Sequence, residues 1–589
     1  MDAYIDFMKK YWVAITLSVL IVLSFSVRFY QFDEWLYFKM DQSRDALLIG
    51  NAIEHGPGYL PLLGARAGAT DLEHGFLRLG PAYYYFQYLS GKIFDSIHPS
   101  VFAYPDLFFG VAVIPLLYFF LRLYFSRRHS FFITAMYAFS FLIIQYSRFA
   151  WNPNSLHFFI VLAFYGLLRF FRETRETPKK WWLALFAFGV TIGSQLHFFG
   201  FFSLVGISGL LICFHLGIWK REALTACLTK EALRKFASFT LIVLGVFLFL
   251  YTPVIISDSM EGGQNTKNFF EALGSKAEKK PFLEKVEKGI SENMNYYCLL
   301  TTSSCSNSDM EAHAIPIAIS TSIIIAGLAL AIRRLRLETD PLRRNFLMLT
   351  LLWFAVFFIL TLPVAFQLRP RFYIVVFALP FILLGLIYQF LEERFGRRGM
   401  VASFLITVAI LGMNIRGTAL WFGEQATAQH TVIDTKRTLI LKAKDGVTLG
   451  QLERVTDWMY DRHRKGARLY FYVKPEHVRP LQFLLYAKHD KELQFTTLKI
   501  TTEPNVQYFT VTPAKNKLEA VEKKFGSDFT VIAEQQFGQL LVSEIYFPNR
   551  ITSDSYRFNK KNGANDRIFW KDVFRMDENT DAILIDDAE

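Results

Sequence analysis

WVAITLSVLIVLSFSVRF, residues 12–29, is the stretch whose reading decides the fold class. It has about the length that a helix needs to cross a bilayer core, roughly 20 residues. It follows Lys9 and Lys10 and ends in Val27-Arg28-Phe29-Tyr30 with no small-residue cleavage pattern, so it reads as an uncleaved signal anchor. Runs of the same kind recur to about residue 420, in a chain of mean hydropathy +0.25 with 61 phenylalanines. The expected class is an all-α polytopic membrane domain rather than a soluble globule.

About eleven spans are expected, near residues 12–30, 101–123, 131–147, 155–171, 181–196, 199–218, 237–256, 314–332, 346–366, 372–390 and 401–417. With the N-terminus cytoplasmic, the inner loops carry Arg127 and Arg128; Arg172, Arg175, Lys179 and Lys180; Lys220, Arg221, Lys230, Arg234 and Lys235; Arg333, Arg334, Arg336, Arg343 and Arg344; and Arg394, Arg397 and Arg398. Residues 31–100 and the long loop 257–313, both on the other side, are net acidic, as the positive-inside rule requires. The formal net charge of +12 therefore reports topology, because the basic residues are spread over separate inner loops and form no stripe for nucleic acid.

Beyond Gly417 the composition changes. Ala467 to Val473 and Tyr508 to Val511 read as strands, while Thr448 to Arg462 and Leu518 to Phe525 carry helical periodicity. Residues 430–550 are accordingly expected to form a small extracytoplasmic α/β domain, and 551–589 an acidic C-terminal tail, mobile from Asp577 to Glu589. Cys298 and Cys305 share the long outer loop at a spacing that a disulfide can close in an oxidising compartment; two unpaired thiols are the other reading.

The first outer loop holds the candidate chemistry. It runs through Phe32-Asp33-Glu34-Trp35 into Asp41-Gln42-Ser43-Arg44-Asp45. On a helix, Asp41 and Asp45 project from one face and Arg44 points elsewhere; paired carboxylates raise each other's pKa, and one would serve as general base for a hydroxyl. An interfacial helix with a solvated acidic face is the ordinary alternative. Three further clusters share the outer face: Gly80-Pro81-Ala82-Tyr83-Tyr84-Tyr85, Ser147-Arg148-Phe149-Ala150-Trp151-Asn152-Pro153-Asn154, and Gln367-Leu368-Arg369-Pro370-Arg371-Phe372-Tyr373. Guanidinium groups there would pair with a phosphate, and the aromatic rings would form a platform for a sugar or an isoprenoid. Interfacial aromatic belts and snorkelling arginines are the alternatives. His197, in a turn between two spans, would hydrogen-bond a substrate or be satisfied structurally.

The ordered set resembles the GT-C membrane glycosyltransferases over roughly residues 10–420: Met40-Asp41-Gln42-Ser43-Arg44-Asp45-Ala46, Gly-Pro-x-Tyr-Tyr-Tyr, Ser-Arg-x-x-Trp-Asn-Pro-Asn, and Arg-x-Arg-Phe-Tyr before a Pro-containing span. More narrowly it is similar to the branch of protein O-mannosyltransferases and lipid A aminoarabinose transferases. The resemblance implies inverting transfer of a sugar from a polyprenyl-phosphate donor to an extracytoplasmic acceptor, which is a glycolipid, a glycan or a protein. It implies Asp41 as general base and Asp45 as second candidate. Arg369 and Arg371, then Arg148 and Arg44, would contact the donor phosphate, and Tyr83, Tyr84, Tyr85, Trp151, Asn152 and His197 would line the cavity. The implied location is a bacterial inner membrane, with the active face and the C-terminal domain outside. The Asp-Glu pair common in this branch is Asp41-Gln42 here. No cofactor is assigned and no Asp-x-Asp occurs; a divalent ion enters only as one reading of Asp71-Leu72-Glu73-His74, a solvated turn being the other. The long loop, with Asn268-Phe269-Phe270-Glu271-Ala272-Leu273, is expected to form an amphipathic helix over the site, gating acceptor entry or covering the lipid edge. Competing classes are a lipid-linked substrate transporter or flippase, and a noncatalytic envelope scaffold. Ionisable residues gathered at span ends, and Pro253, Pro363 and Pro380 in non-corresponding positions, speak against the transporter.

Overall fold

The computed structural model describes residues 2–67, 72, 76–172, 180–220, 229–275, 279–305, 313–438, 446–497, 505–516, 519–548 and 567–576. Backbone polar groups in lipid must be satisfied within the segment, so the apolar runs fold as helices. The helix α1 (Asp2–Phe29) leads into two shorter ones, α2 (Met40–His55) and α3 (Ala82–Phe94). Next come α4 (Pro99–Leu121), α5 (Arg127–Ala138), α6 (Phe141–Tyr146), α7 (Leu156–Arg172), α8 (Lys180–Leu196) and α9 (Phe198–Leu216). The bundle continues through α10 (Lys230–Met260), α11 (Gln264–Ser275), α12 (Phe282–Thr302), α13 (Ala314–Leu337), α14 (Pro341–Thr361), α15 (Leu379–Phe395) and α16 (Arg397–Ala428).

The chain is a multi-pass membrane protein: among the described residues seven helices are long and apolar enough to cross, and a pair bent by 46°, Pro370–Val376 with Leu379–Phe395, makes eight if it is one span. The other three expected spans fall on shorter helices. Residues 155–171 and 181–196 lie on α7 and α8, which have 17 residues each. Residues 131–147 are divided between α5 and α6, and the break has a cause. The Phe141 N–H is taken by Asn414 Oδ1 at 2.9 Å, so α16 supplies a partner that replaces the helix's own, and Ser140 Oγ donates to the Leu300 carbonyl of α12 at 2.7 Å. Between α7 and α8 the backbones touch where glycine permits it: a Cβ on Gly189 would stand 2.8 Å from Ala163 N, and one on Gly166 would stand 2.9 Å from Phe186 N.

The C-terminal α/β region contains α17 (Leu449–Asp461), β1 (Arg468–Val473), α18 (Pro475–Tyr486), β2 (Phe495–Thr497), β3 (Val506–Pro513), α19 (Glu519–Phe525), β4 (Thr530–Phe537) and β5 (Leu540–Tyr546). The strands form one five-stranded sheet ordered β2-β1-β3-β5-β4. The β1 strand is parallel to β2 and β3, and β5 is antiparallel to β3 and β4. One sheet face, with Leu469, Phe471, Phe509 and Val542, joins Leu452, Val455 and Met459 of α17 in a core continuous with that of the helical bundle. The region rests on the first loop. Leu449 N donates to Leu36 O at 2.9 Å, Arg454 pairs with Glu34, His98 Nε2 meets Glu453 at 2.7 Å, and the rings of Phe38 and Phe483 lie 5.7 Å apart. Glu34, read from sequence as part of an acidic reactive segment, is thus engaged in docking.

Part of the expected tail is folded. The Ile568 carbonyl accepts from Leu62 N at 2.9 Å, Trp570 N donates to Leu60 O at 3.1 Å, and a short helix, α20 (Trp570–Phe574), follows. Two aromatic rings, Phe569, which is buried, and Trp570, which holds Tyr85, give this piece apolar surface to dock, which a purely acidic tail lacks. Asp577 to Glu589 lie outside the described residues. Cys298 and Cys305 are disulfide-bonded, with Cα atoms 5.9 Å apart.

Candidate active site

Helix α2 starts where Gln42 Oε1 accepts the Lys39 N–H at 3.2 Å, so the residue in place of the branch's glutamate serves as a helix-start acceptor and is buried. One turn separates the two carboxylates, and their environments differ. Asp41 has 49% of its side chain exposed; Asp45 has 4%. The helix was expected to turn Arg44 away from both. Instead its flexible stem folds back along α2, and the guanidinium bridges them: Nη1 reaches Asp41 Oδ1 at 3.3 Å, while Nε and Nη2 reach Asp45 Oδ1 at 2.9 and 2.8 Å. Burial raises the Asp45 pKa; Arg44 opposes that shift and Asp41 adds to it.

The hydroxyls of the three consecutive tyrosines are committed one by one, as buried phenols require. Tyr83 donates to Asp106 Oδ2 at 2.7 Å, and Tyr84 donates to Asp45 Oδ1 at 2.8 Å. Tyr85 donates to the Pro61 carbonyl at 3.2 Å and accepts from Trp570 Nε1 at 2.9 Å. Burial and the Asp45 charge push the Tyr84 pKa up to about 12, against the pull of Arg567 and Arg44.

Asp106 was not anticipated. It is buried in α4, and it also accepts from Trp151 N at 3.0 Å and Ser155 Oγ at 2.5 Å. It thereby ties α3 to the turn that carries Trp151 and Asn152. A lone carboxylate inside an apolar span was the available signal.

Trp151 brings the distant arginines to this loop. The Arg371 guanidinium stacks 5.4 Å above its ring and feels the charge of Asp41. Arg369 is half-buried beside it and within electrostatic reach of Tyr296 on α12. Asn152 is buried, and its side-chain amide makes no hydrogen bond among the described residues. His197 sits in extended conformation at the start of α9, its ring edge-on to Phe372 at 5.8 Å. Arg148 is placed differently from the expectation. Its guanidinium donates to the carbonyls of Val27 at 3.1 Å, Arg28 at 2.6 Å and Tyr30 at 2.7 Å, which satisfies the otherwise open C-terminal end of α1. The structure therefore assembles Asp41, Arg44, Asp45, Trp151 and Arg371, and turns Arg148 to a structural task.

The helix expected over the site is α11. It is pinned to the loop before α3 by Asn265 Oδ1, which accepts from Arg78 N at 2.9 Å, and by Asn268 Nδ2, which donates to Phe76 O at 3.1 Å. Asp71, Glu73 and His74, the residues of the metal reading, lie outside the described residues.

Residues 68–257 match the family model described as dolichyl-phosphate-mannose-protein mannosyltransferase. That stretch opens in the loop after α2 and closes within α10, so Asp41 and Arg371 lie beyond its ends. No curated protein matches the chain by sequence. Among solved structures, an archaeal oligosaccharyltransferase, AglB from Archaeoglobus fulgidus in complex with an inhibitory peptide and a dolichol-phosphate, is 14% identical with TM-score 0.47, covering 88% of this chain and 71% of that one. ArnT from Cupriavidus metallidurans bound to undecaprenyl phosphate is 11% identical with TM-score 0.42, covering 90% and 97%. The arabinofuranosyltransferase AftD from Mycobacteria is 13% identical with TM-score 0.43, covering 90% and 41%. Likeness at these scores is coarse and assigns no residue.

Proposed function

We propose that this chain is an integral-membrane inverting glycosyltransferase that moves a sugar from a polyprenyl-phosphate donor to a hydroxyl of an extracytoplasmic acceptor (a glycolipid, a glycan or a protein) at the membrane face bearing α2, with Asp41 as general base. The observation that carries the reading is the asymmetry of the carboxylate pair: Asp41 is half-exposed beside Arg371, and Asp45 is buried beneath Arg44 and Tyr84. In the transfer, the acceptor proton passes to Asp41 as the acceptor atom bonds to the anomeric carbon. The bond from that carbon to the phosphate oxygen breaks on the opposite side, and the lipid phosphate leaves with the electron pair. Arg371, stacked on Trp151, and Arg369 would pair with the departing phosphate, where guanidinium geometry suits two oxygens at once. Asp45 holds Arg44, and Arg44 in turn orients Asp41. Asn152 offers a free amide to the sugar or the acceptor. Polyprenyl chains and surrounding lipid would lie against the apolar helices.

Native mass spectrometry of the purified protein and its Asp41→Asn variant, incubated with a panel of polyprenyl-phosphate sugars and envelope acceptor extract, tests the proposal. Both proteins should bind one donor, and only the unaltered one should consume its sugar. Full transfer by Asp41→Asn would remove Asp41 from the role of base; donor binding by neither protein would remove the transferase reading.

A further inference from the structure

The strap formed by residues 567–576 ends at the carboxylate cluster. Two main-chain hydrogen bonds to residues 60 and 62 pair it with the loop after α2, and Pro61 and Phe569 form an antiparallel bridge. Trp570 Nε1 holds Tyr85, and Lys571 lies 5.0 Å over the Tyr59 ring. This pairing sets Arg567, which is buried, 5.7 Å above the ring of Tyr84. The Tyr84 hydroxyl gives its proton to Asp45, so the cation lies over the ring whose phenol caps the buried carboxylate. A cation over an aromatic ring is attracted to its π face, so Arg567 holds the phenol in place while its single hydroxyl proton goes to Asp45.

We propose that the strap is a working part of the site: Arg567 is a positioning residue that fixes the Tyr84 hydroxyl on Asp45 and so sets the Asp45–Arg44–Asp41 chain. The catalytic consequence rests on the reading of Asp41 as base; the positional one does not.

The test uses the full chain in lipid nanodiscs. Arg567→Met keeps the apolar stem and removes the charge, and Arg567→Gln carries the same test if the Met variant does not fold. Arg575→Ala, on the exposed part of the strap, is the control. Hydrogen exchange followed by mass spectrometry should show peptides covering 40–48 and 82–90 opening about fivefold more readily in Arg567→Met, as loss of one buried cation–ring contact of about 1 kcal/mol predicts. Arg567→Lys should lie near the unaltered protein, and Arg575→Ala should match it. In the transfer assay, kcat should fall about tenfold in Arg567→Met with KM for the lipid donor held, and Arg567→Met combined with Tyr84→Phe should be no slower than Tyr84→Phe alone. Unchanged exchange in Arg567→Met, equal effects at 567 and 575, or losses that add in the double variant would each overturn the proposal. If the unaltered protein transfers no sugar, the transferase reading fails, and the exchange result alone decides the position of Arg567.

Discussion

Replacing Asp106 by alanine or by asparagine separates what its charge does from what its shape does. The carboxylate accepts from Tyr83 Oη, Trp151 N and Ser155 Oγ at 2.7, 3.0 and 2.5 Å, and no cation acts on it among the described residues. Alanine removes every acceptor. The hydroxyls of Tyr83 and Ser155 can turn to other partners, but the Trp151 N–H cannot, and a buried donor left unsatisfied costs about 1–3 kcal/mol. Losing the other two bonds at about 1 kcal/mol each, less the relief of no longer burying an unpaired charge, brings the net loss to about 3 kcal/mol. Asparagine fares better by geometry. Its oxygen placed at the Oδ2 position accepts from Tyr83 and Trp151, and its amide donates to Ser155, whose hydroxyl reverses. The cost should stay near or below about 1 kcal/mol, since only the charge assistance is lost. By dye-free thermal unfolding in detergent, Asp106→Ala should lower the apparent midpoint by roughly 2–4 °C and Asp106→Asn by no more than about 1 °C, because a chain this long has a large unfolding entropy. The alanine variant should also lose sugar transfer with Asp41 untouched, because the main chain of Trp151 is released and with it the surface under Arg371. Equal midpoints for the two variants would refute the assignment of Asp106 as a three-donor pin.

Arg371→Lys keeps the charge but gives up the planar group stacked on Trp151, and it should slow sugar transfer about tenfold while leaving the thermal midpoint in place; full activity in the lysine variant would show that stacking is irrelevant. The His98–Glu453 pair should make docking of the C-terminal region pH-dependent. Burial opposes the His98 charge, but the hydrogen bond and the charge of Glu453 outweigh it, so the folded-state pKa is raised. A raised histidine pKa contributes stability that is fully present below the unfolded value of 6.5 and is lost as pH rises through the folded value. Hydrogen exchange in 449–461 should therefore quicken as pH rises in the window just above 6.5, and Glu453→Gln should abolish that dependence. The effect should stay under about 1 kcal/mol, because His98 is 40% exposed and screened. A pH profile identical in the two proteins would exclude the pair from docking.

The polytopic class was legible because lipid leaves the backbone few options: a run such as 12–29 has to be helical, and basic loops such as Arg333 to Arg344 mark one side. The strands at 468–473 and 506–513 and the helices at 449–461 and 519–525 were legible for a related reason, since alternation and helical periodicity are local properties of the chain. What joins these pieces was not. The break between α5 and α6 depends on Ser140 meeting the Leu300 carbonyl and on Asn414 meeting Phe141, partners remote in sequence that no local window contains. The folded strap at 567–576 escaped notice because its anchor, residues 60–62, lies at the other end of the chain.

At the site, sequence supplied the residue types and the turn-long spacing of Asp41 and Asp45, because those are properties of one helix. Only the tertiary structure decided how they differ. Burial is set by what packs against a side chain, so Arg44 and Tyr84 turned Asp45 into a buried anchor while Asp41 stayed open. The same cause placed the arginines. Arg148 fell beside the carbonyl end of α1 and was used there, whereas Arg371 met the ring of Trp151 near Asp41.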